Sequence, residues 1–206
     1  MGYSRAGFEV VGVDINPQPH YPFPFCQANA LIVLRDGYLE TTTGRTYNLN
    51  DFDAIHASPP CQAYSMACQQ WRPAGKTYPD MVAETRELLI KSEKPYVVEN
   101  VPGSPLLNPT ILNGGIFGMR VRRTRLFETS FEMLLVLRVP EEKSTFRMGR
   151  PVKEGDVITP VGHFSNVDYA RRVMGIDWMT RKELTQAIPP AYTQFIGKYL
   201  MDYLNA

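Results

Sequence analysis

The sequence predicts an α/β fold built on a mostly parallel sheet. Short apolar runs bounded by proline and glycine alternate with segments of helical periodicity, which is the order that such sheets require. The 206 residues suffice for one domain with its own core and a small appendage at most. With 44% hydrophobic and 21% charged residues, the composition excludes wholesale disorder.

Three apolar runs predict the strands. Residues 9–15 are expected to form a buried strand that ends in an acid, and a proline-rich connector follows at 17–25. A second buried strand is predicted at 53–57, where Ser58-Pro59-Pro60 stops it, and a third at 95–99.

Two segments carry the helical periodicity. Apolar side chains recur at helical spacing in residues 81–92. Residues 181–204 form a second amphipathic region, which Pro189-Pro190 interrupts.

Residues 131–164 differ from the rest of the chain. They lack helical periodicity and mix charges with short β-like runs, so we interpret them as a small β-rich insertion. The predicted main domain then comprises residues 1–130 and 165–206.

The charge and cysteine content limit the class of protein. The 22 basic and 21 acidic residues give a net charge of +1, so a nucleic-acid surface has to be a local patch. The odd number of cysteines, three, favours a reduced, cytoplasmic compartment. No apolar run approaches the roughly 20 residues of a membrane span. The three histidines are scattered and no cysteine pair has zinc-site spacing, so no metal is predicted.

Polar side chains follow each predicted strand. Asp14, Cys61 and Glu99 all fall at or just after a strand end. Because ligands of parallel sheets sit beyond the carboxyl ends of the strands, these residues predict an active site at that edge.

Cys61 has the most constrained setting of the three cysteines. Two prolines precede it on the loop that leaves the second strand, so the thiol is held rigidly at the sheet edge. An accessible thiol in such a place can be a nucleophile, and the alternative is a buried structural cysteine. Cys26 and Cys68 lack this setting and are interpreted as incidental.

Glu99 also admits two interpretations. A carboxylate directly after a buried strand is expected to be partly desolvated, which raises its pKa and lets it donate a proton near neutral pH. Alternatively, it makes local hydrogen bonds in the loop.

Four of the six residues from 120 to 125 are arginines. In an extended strand, Arg123 and Arg125 would share one face. Such a patch suits phosphate or planar acceptor groups, although a solvated edge strand would have the same composition.

In combination, these motifs resemble the cytosine-C5 DNA methyltransferases, which use S-adenosylmethionine (SAM). Pro60-Cys61-Gln62, then Glu99-Asn100-Val101, then Arg123 and Arg125 match the family's order. Residues 6–14 resemble its first helix and second strand, and residues 174–178 with 186–190 resemble its last two motifs. The resemblance covers nearly the whole chain outside the insertion and is closest to short, phage-type members. It implies a Rossmann-like methyltransferase fold and the cytoplasm of a bacterial host.

The resemblance implies roles at the target base. Cys61 would attack C6 of cytosine, Glu99 would bond N3, Arg125 would contact the cytosine carbonyl, and Arg123 would support the substrate strand. Because the base is out of reach within a duplex, the family flips it into the pocket. Substrate contacts are expected from a further set, Gln62, Ser65 and Asn100, with Gln62 and Ser65 in the loop that closes over the base.

The resemblance also implies a SAM site. Asp14 would accept hydrogen bonds from the ribose hydroxyls, and Ile15 would pack on the adenine. Asn29 stands where the family usually has an aspartate at the adenine amino group, which predicts weaker binding. The residues expected beside the cofactor and its product S-adenosylhomocysteine also include Pro59, Gln186 and Ala187. Gln186 replaces the family's usual asparagine.

Two further departures from the family bear on function. The 206 residues begin at about the first turn of the helix that should follow the family's first strand and Gly-rich loop, so weak SAM binding is expected of this chain. The insertion at 131–164 is short for a target-recognition domain, so strong sequence specificity is not expected.

The sequence therefore predicts methyl transfer from SAM to C5 of cytosine in DNA. Two alternatives stay open: a degenerate member that binds DNA or a protein without catalysis, and an enzyme acting on a nucleotide or RNA.

Overall fold

The structure is a computed structural model that describes residues 1–64, 78–133, 143–145 and 150–206. The strands are β1 Gly12–Asp14, β2 Phe25–Gln27, β3 Tyr38–Glu40, β4 Thr46–Asn48, β5 Ile55–Ala57, β6 Tyr96–Asn100, β7 Thr110–Leu112 and β8 Arg125–Thr129. The α-helices are α1 Gly2–Arg5, α2 Ala30–Asp36, α3 Val82–Lys91, α4 Val167–Met174, α5 Arg181–Gln186 and α6 Pro190–Leu204, and short 3-10 helices span Leu49–Asp51 and Gly114–Phe117.

Two compact units divide the chain. The sheet unit comprises Val10–Thr110, Arg125–Leu134 and Tyr203–Ala206, and the helical unit comprises Met1–Glu9, Ile111–Thr124 and Leu135–Asp202. The expected division into a main domain and an insertion at 131–164 stays a prediction.

Parallel strand pairs underlie the sheet unit. β1 pairs in parallel with β2, so that Asp14 lies opposite Gln27. β5 pairs in parallel with β6, and β8 runs antiparallel to β6 on its other side. A separate antiparallel hairpin joins β3 and β4. These pairs confirm the predicted α/β class, although each sheet is small.

Helix α3 covers the strands that carry the predicted site. The predicted helix at 81–92 is confirmed as Val82–Lys91. Its buried Val82 and Leu89 pack in one cluster with Val98 of β6 and Leu126 of β8. A second cluster forms around Cys26, so this cysteine is part of the core.

The first predicted strand is shorter and less buried than expected. The prediction was a buried strand at residues 9–15, but β1 covers only Gly12–Asp14, and each of its residues is half-buried. The Tyr21 ring packs closely against β1 at Gly12. A Cβ atom added at Gly12 would come to 2.5 Å from this ring, so only glycine leaves room for it. Burial raises the pKa of Tyr21 to about 12.

The helical unit has its own core. Tyr169 and Met174 of α4 pack with Leu184 of α5 and with Val121 and Ile158. A parallel bridge joins Val121 to Ile158, which lies in the range predicted to be a β-rich insertion. The β-like run predicted at residues 134–139 lies outside the described residues.

An internal ion pair orders the described part of that range. Asp156 accepts hydrogen bonds from both terminal nitrogens of Arg150, at 2.8 and 2.9 Å. Arg150, the Lys153 backbone N–H and the Thr145 hydroxyl hold the pKa of Asp156 well below its usual range.

The predicted helical region at 181–204 is confirmed as two helices. Helix α5 ends at Gln186, before Pro189-Pro190, and α6 begins at Pro190.

Within the described ranges, no helix is both long and apolar enough to cross a membrane.

A buried ion pair joins α3 to the sheet. Arg86 donates from Nε and Nη2 to the two carboxylate oxygens of Glu128, each at 2.7 Å. Arg86 also donates to the Pro105 carbonyl, and Glu128 accepts the Leu107 backbone N–H. The hydrogen bond to Glu128 raises the pKa of Arg86, so the cation persists. The pair therefore anchors the loop that follows β6 to both α3 and β8.

We expect Arg86→Met to lower the free energy of unfolding by about 3 kcal/mol, because it leaves Glu128 as an uncompensated buried carboxylate. Arg35→Met is the matched control, since Arg35 pairs with Glu84 at 3.4 Å on the surface of the same unit. The control should cost less than about 1 kcal/mol. Urea unfolding followed by circular dichroism measures both, and equal costs would contradict the assignment of Arg86 as an anchor.

Candidate active site

The Cys61 loop leaves the sheet at the end of β5. Pro59 and Pro60 restrict the backbone immediately before Cys61. The carbonyl of Cys61 accepts the Tyr64 backbone N–H at 3.0 Å, so a turn begins at the cysteine. Cys61 itself is half-buried.

Asn100 ties this loop to the neighbouring strand. It is the last residue of β6 and is 1% exposed. Its Nδ2 donates to the Pro59 carbonyl at 3.0 Å, and its Oδ1 accepts the Val101 backbone N–H at 2.8 Å. Since Ala57 lies opposite Val98 in the parallel pair, the two strands end at one edge. The structure therefore brings the Cys61 loop and the Glu99-Asn100 strand end together, as the sequence predicted.

Glu99 and Arg125 form an ion pair across two strands. Glu99 lies opposite Phe127 in the antiparallel register, so Arg125 is its diagonal neighbour on the same face. Arg125 Nε lies 2.9 Å from Glu99 Oε1, and both side chains are largely buried. The sequence predicted a desolvated carboxylate, and the structure adds a cation beside it. A guanidinium compensates the charge that burial would otherwise penalise.

Arg123 does not share a strand face with Arg125, which corrects the expectation from the spacing. β8 begins at Arg125, and Arg123 belongs to the helical unit. Its guanidinium donates to the backbone carbonyls of Pro160, Thr185 and Ala187. The spacing rule failed because the extended strand starts two residues later than expected.

Asp14, Ile15 and Asn29 lie at the end of the β1–β2 pair. The Ala28 backbone N–H donates to the Asp14 carbonyl at 3.0 Å. The Asp14 carboxylate accepts the Asn16 backbone N–H at 2.8 Å and Gln18 Nε2 at 3.1 Å. It is thus held at the edge of the strand pair, where the sequence placed it.

Ile15 is an apolar side chain in a polar setting. It is 65% exposed although it directly follows β1. An exposed aliphatic side chain next to an oriented carboxylate suits a nucleoside, which presents both an apolar ring face and hydroxyl donors. The residues present therefore fit the nucleoside part of SAM.

Asn29 has a structural task of its own. Its Oδ1 accepts the Leu31 backbone N–H at 2.9 Å and caps α2. Any contact of this side chain with an adenine amino group stays a prediction.

The other predicted contacts lie in different parts of the chain. Gln62 is exposed in the turn that begins at Cys61. Ser65 and Cys68 lie outside the described residues. Gln186 ends α5 and Ala187 follows it, and both belong to the helical unit.

His56 lies in β5, upstream of the Cys61 loop. Burial lowers its pKa to about 4, so the imidazole is neutral at pH 7 and a weak base. Its Nε2 lies 3.1 Å from Ser58 Oγ. In the part of the chain that the structure describes, no three His, Cys, Asp or Glu side chains are grouped to hold a metal ion.

Sequence reasoning missed the residues that support the site. Asn100 was assigned to the substrate, yet its amide holds the Pro59 carbonyl. The Arg86–Glu128 pair was not identified at all. Its one signal in the sequence is Glu128, a carboxylate that directly follows the apolar Leu126 and Phe127.

Comparison with known proteins supports the fold. The structure is similar to the crystal structure of an Escherichia coli prophage-encoded protein that is provisionally described as a DNA modification methyltransferase, with a TM-score of 0.55 and 15% sequence identity. The match covers 100% of this chain and 95% of that one. No family model and no curated protein matches the sequence. The chain thus has a Rossmann-like α/β fold that a methyltransferase-like structure shares.

We expect Asn100→Ala to loosen the Cys61 loop, because the Pro59 carbonyl loses its amide partner. Losing that bond should cost about 1–3 kcal/mol of local stability and increase the rate of Cys61 alkylation by iodoacetamide several-fold. Peptide mass spectrometry measures the modification at Cys61 alone. Asn50→Ala, on the surface of the same unit, is the control. An unchanged rate in Asn100→Ala would show that the loop is held without the amide.

Proposed function

We propose that this protein transfers a methyl group from SAM to C5 of cytosine in DNA through a covalent adduct between Cys61 and C6. One observation carries the proposal: the buried Glu99–Arg125 pair lies at the strand end where Asn100 holds the Cys61 loop. A thiol, an acid and a guanidinium are the three groups that addition to a cytosine ring needs. The methyltransferase-like fold supports the same assignment.

Cys61 supplies the nucleophile in this proposal. Its thiolate forms a bond to C6, and the electrons of the C5–C6 double bond shift towards C5. The restricted Pro59-Pro60 backbone limits the positions that the thiol can adopt, which favours attack on a base that has left the duplex.

Glu99 and Arg125 stabilise the ring while negative charge builds on it. Glu99 takes up a proton from solvent and passes it to N3 as the thiolate adds, and Arg125 donates to the cytosine carbonyl oxygen. A guanidinium has five N–H donors, so Arg125 can bond Glu99 and the cytosine together. The Arg125 contact would orient the carboxyl group towards the ring.

Asp14 and Ile15 would hold the nucleoside of the cofactor, the first at the ribose hydroxyls and the second at the adenine face. Pro59 and Asn29, which belong to the same unit, are the further residues proposed to contact it. When bound, SAM supplies an electrophilic methyl group, whose carbon bonds to C5 as its bond to sulfur breaks and the electron pair stays on sulfur.

Elimination then restores the enzyme. Water accepts the proton from C5, the C5–C6 double bond reforms, and the bond between C6 and the Cys61 sulfur breaks. The proton on N3 returns to Glu99. Cys61 leaves as a thiolate, and the products are 5-methylcytosine and S-adenosylhomocysteine.

The substrate test compares DNA, RNA and a free cytidine nucleotide as methyl acceptors with tritiated SAM. We expect incorporation into DNA, with 5-methyl-2′-deoxycytidine identified by nucleoside mass spectrometry. If only RNA or only the nucleotide is methylated, that acceptor is the substrate and DNA is not. If none of the three is methylated, the proposal of an enzyme is refuted.

Cys61→Ser is expected to abolish methyl transfer and to leave folding and DNA affinity largely intact, because a serine hydroxyl does not ionise at neutral pH. The measurement is tritium incorporation, with circular dichroism and a DNA-binding titration alongside. Cys26→Ser, in the core, serves as a control for loss of a thiol elsewhere. Activity of Cys61→Ser within tenfold of the wild type would remove Cys61 from the mechanism.

Glu99→Gln should slow the chemical step by about 10²-fold or more, because an amide donates a hydrogen bond to N3 but gives up no proton. Single-turnover kinetics with saturating DNA isolate this step from binding. Glu84→Gln removes a surface carboxylate of the same unit and is expected to keep the wild-type rate. If Glu99→Gln also keeps it, Glu99 is only a structural partner of Arg125.

A further inference from the structure

Two arginines of the run at 120–125 take no part in the proposed chemistry. Arg123 and Arg125 are largely buried and bind partners within the protein. Arg120 and Arg122, in contrast, are exposed to solvent. We call these two exposed side chains the arginine face.

The backbone under the arginine face is fixed. Val121, between the two arginines, is 2% exposed and packs in the core of the helical unit. The Arg122 backbone N–H donates to the Ile158 carbonyl at 2.7 Å, and the Ile158 backbone N–H donates to the Arg120 carbonyl at 3.1 Å. Side chains alternate along an extended segment, so Val121 points into the core and both arginines lie on the opposite side. Their Cα atoms are therefore roughly 6–7 Å apart, which places two cations side by side.

A close backbone contact also supports this segment. A Cβ atom at Gly114 would collide with the Val121 carbonyl oxygen, so the chain can approach Val121 there only at a glycine. The Met119 backbone N–H donates to the Gly114 carbonyl at 2.8 Å, which closes the turn before Arg120. The backbone of the arginine face is thus ordered before any ligand arrives, which lowers the entropic cost of binding.

The carboxylates of the neighbouring segment have cations of their own. Asp156 binds Arg150 at 2.8 Å, and Glu154 binds Arg172. On the segment that carries the arginine face, no Asp or Glu occurs in the sequence from residue 100 to residue 127. The charge along this segment is consequently of one sign.

The two units differ in charge. The helical unit contains fourteen Lys and Arg residues and nine Asp and Glu residues, whereas the sheet unit contains eight and twelve. The helical unit is therefore net positive by five and the sheet unit net negative by four, which together give the +1 of the chain. Because of this asymmetry, a polyanion is attracted to the helical unit.

A phosphate backbone suits two neighbouring guanidinium groups. The guanidinium is planar and permanently charged, and its paired N–H donors match two oxygens of one phosphate. Its five donors also let an exposed arginine keep a partner within the protein and bind a phosphate as well. A nucleic-acid strand repeats its phosphates, so each arginine can bind one of them, whereas a single small anion would engage only part of the face.

We propose that the arginine face binds the phosphate backbone of DNA. The proposal rests on the proposed function for the identity of the polyanion. Backbone contacts carry no sequence information, so they should add the same affinity at every target sequence. The family resemblance implied a strand-supporting role for Arg123, but its guanidinium donates to backbone carbonyls, and the exposed neighbours take that role instead.

The test measures the affinity of the full chain for duplex DNA by fluorescence anisotropy at several salt concentrations. Each phosphate contact contributes about 0.9 to the slope of log affinity against log salt. We expect Arg120→Gln/Arg122→Gln to reduce this slope by about 1.8, to the same extent on two duplexes of unrelated sequence. The single-turnover methylation rate at saturating DNA should keep its wild-type value, because neither residue belongs to the proposed catalytic machinery.

Arg181→Gln/Lys182→Gln is the matched control. Both residues are exposed at the start of α5 in the same unit, so this double variant removes the same charge from another surface. It should keep the wild-type slope. Equal losses in the two double variants would overturn the proposal, since the net charge of the unit would then explain the binding. An unchanged slope in Arg120→Gln/Arg122→Gln would also overturn it.

The outcomes separate this proposal from the proposed function. If the slope falls as expected but the wild type transfers no methyl group, the arginine face stands and the proposed function fails. If the wild type methylates DNA but the slope ignores Arg120→Gln/Arg122→Gln, the proposed function stands and the arginine face fails. A slope that falls with RNA but not with DNA would make RNA the partner and contradict the proposal.

Chemical modification of the wild type covers the case in which the double variant does not fold. Phenylglyoxal reacts with exposed guanidinium groups, and peptide mass spectrometry locates the products. Duplex DNA should slow the modification of Arg120 and Arg122 several-fold and leave that of Arg181 unchanged. Equal protection of all three arginines, or protection of none, would contradict the proposal.

Discussion

The site depends on the burial of two polar side chains at the end of one apolar strand. Strand β6 is buried over Val97, Val98, Glu99 and Asn100, so its last two side chains need partners within the protein. Arg125 meets the carboxylate and the Pro59 carbonyl meets the amide. Without a partner, each buried polar group of this kind would lower the folding stability by about 1–3 kcal/mol, and the charged Glu99 would lower it by more. Arg125, which satisfies the carboxylate, is also a group that the proposed chemistry uses, and the Pro59 carbonyl, which satisfies the amide, belongs to the loop that carries Cys61.

A second buried ion pair stabilises the same strands. Glu128 lies opposite Val98 in the register and binds Arg86 of α3. The same pair bonds Pro105 and Leu107 in the loop after β6. Strand β6 is consequently held at two places. The Cys61 loop contacts its carboxyl end, and α3 packs on its face. Such preorganisation lets fixed dipoles act on a transition state without rearrangement.

The order of elements could be predicted from the sequence because apolar periodicity encodes it directly. Helix α3, strand β6 and the break at Pro189-Pro190 all follow from local patterns. Strand β2 and the β3–β4 hairpin were not predicted, since each of these strands mixes polar with apolar residues over only three positions. Helix α2 was also missed, although Asn29 and Gly37 provide its start and stop signals.

The candidate site was predictable in its parts but not in its partners. Strand ends placed Asp14, Cys61 and Glu99 at sheet edges without any knowledge of the fold. Which arginine meets which acceptor depends on where β8 begins, and a run of four arginines in six residues carries no signal for that boundary. Arg123 and Arg125 therefore looked alike in the sequence. In the structure, Arg123 donates hydrogen bonds to backbone carbonyls, whereas Arg125 pairs with Glu99.

The central claim, a covalent bond between Cys61 and C6 of cytosine, has a direct test. DNA containing 5-fluorocytosine presents fluorine where the C5 proton has to leave, so the adduct cannot complete elimination. Incubation with SAM should give a protein–DNA complex that survives denaturation in detergent, with the nucleotide mapped by mass spectrometry to the peptide that holds Cys61. Methyl transfer to ordinary DNA with no trapped complex on the fluorinated DNA, or a complex attached at another residue, would contradict the account.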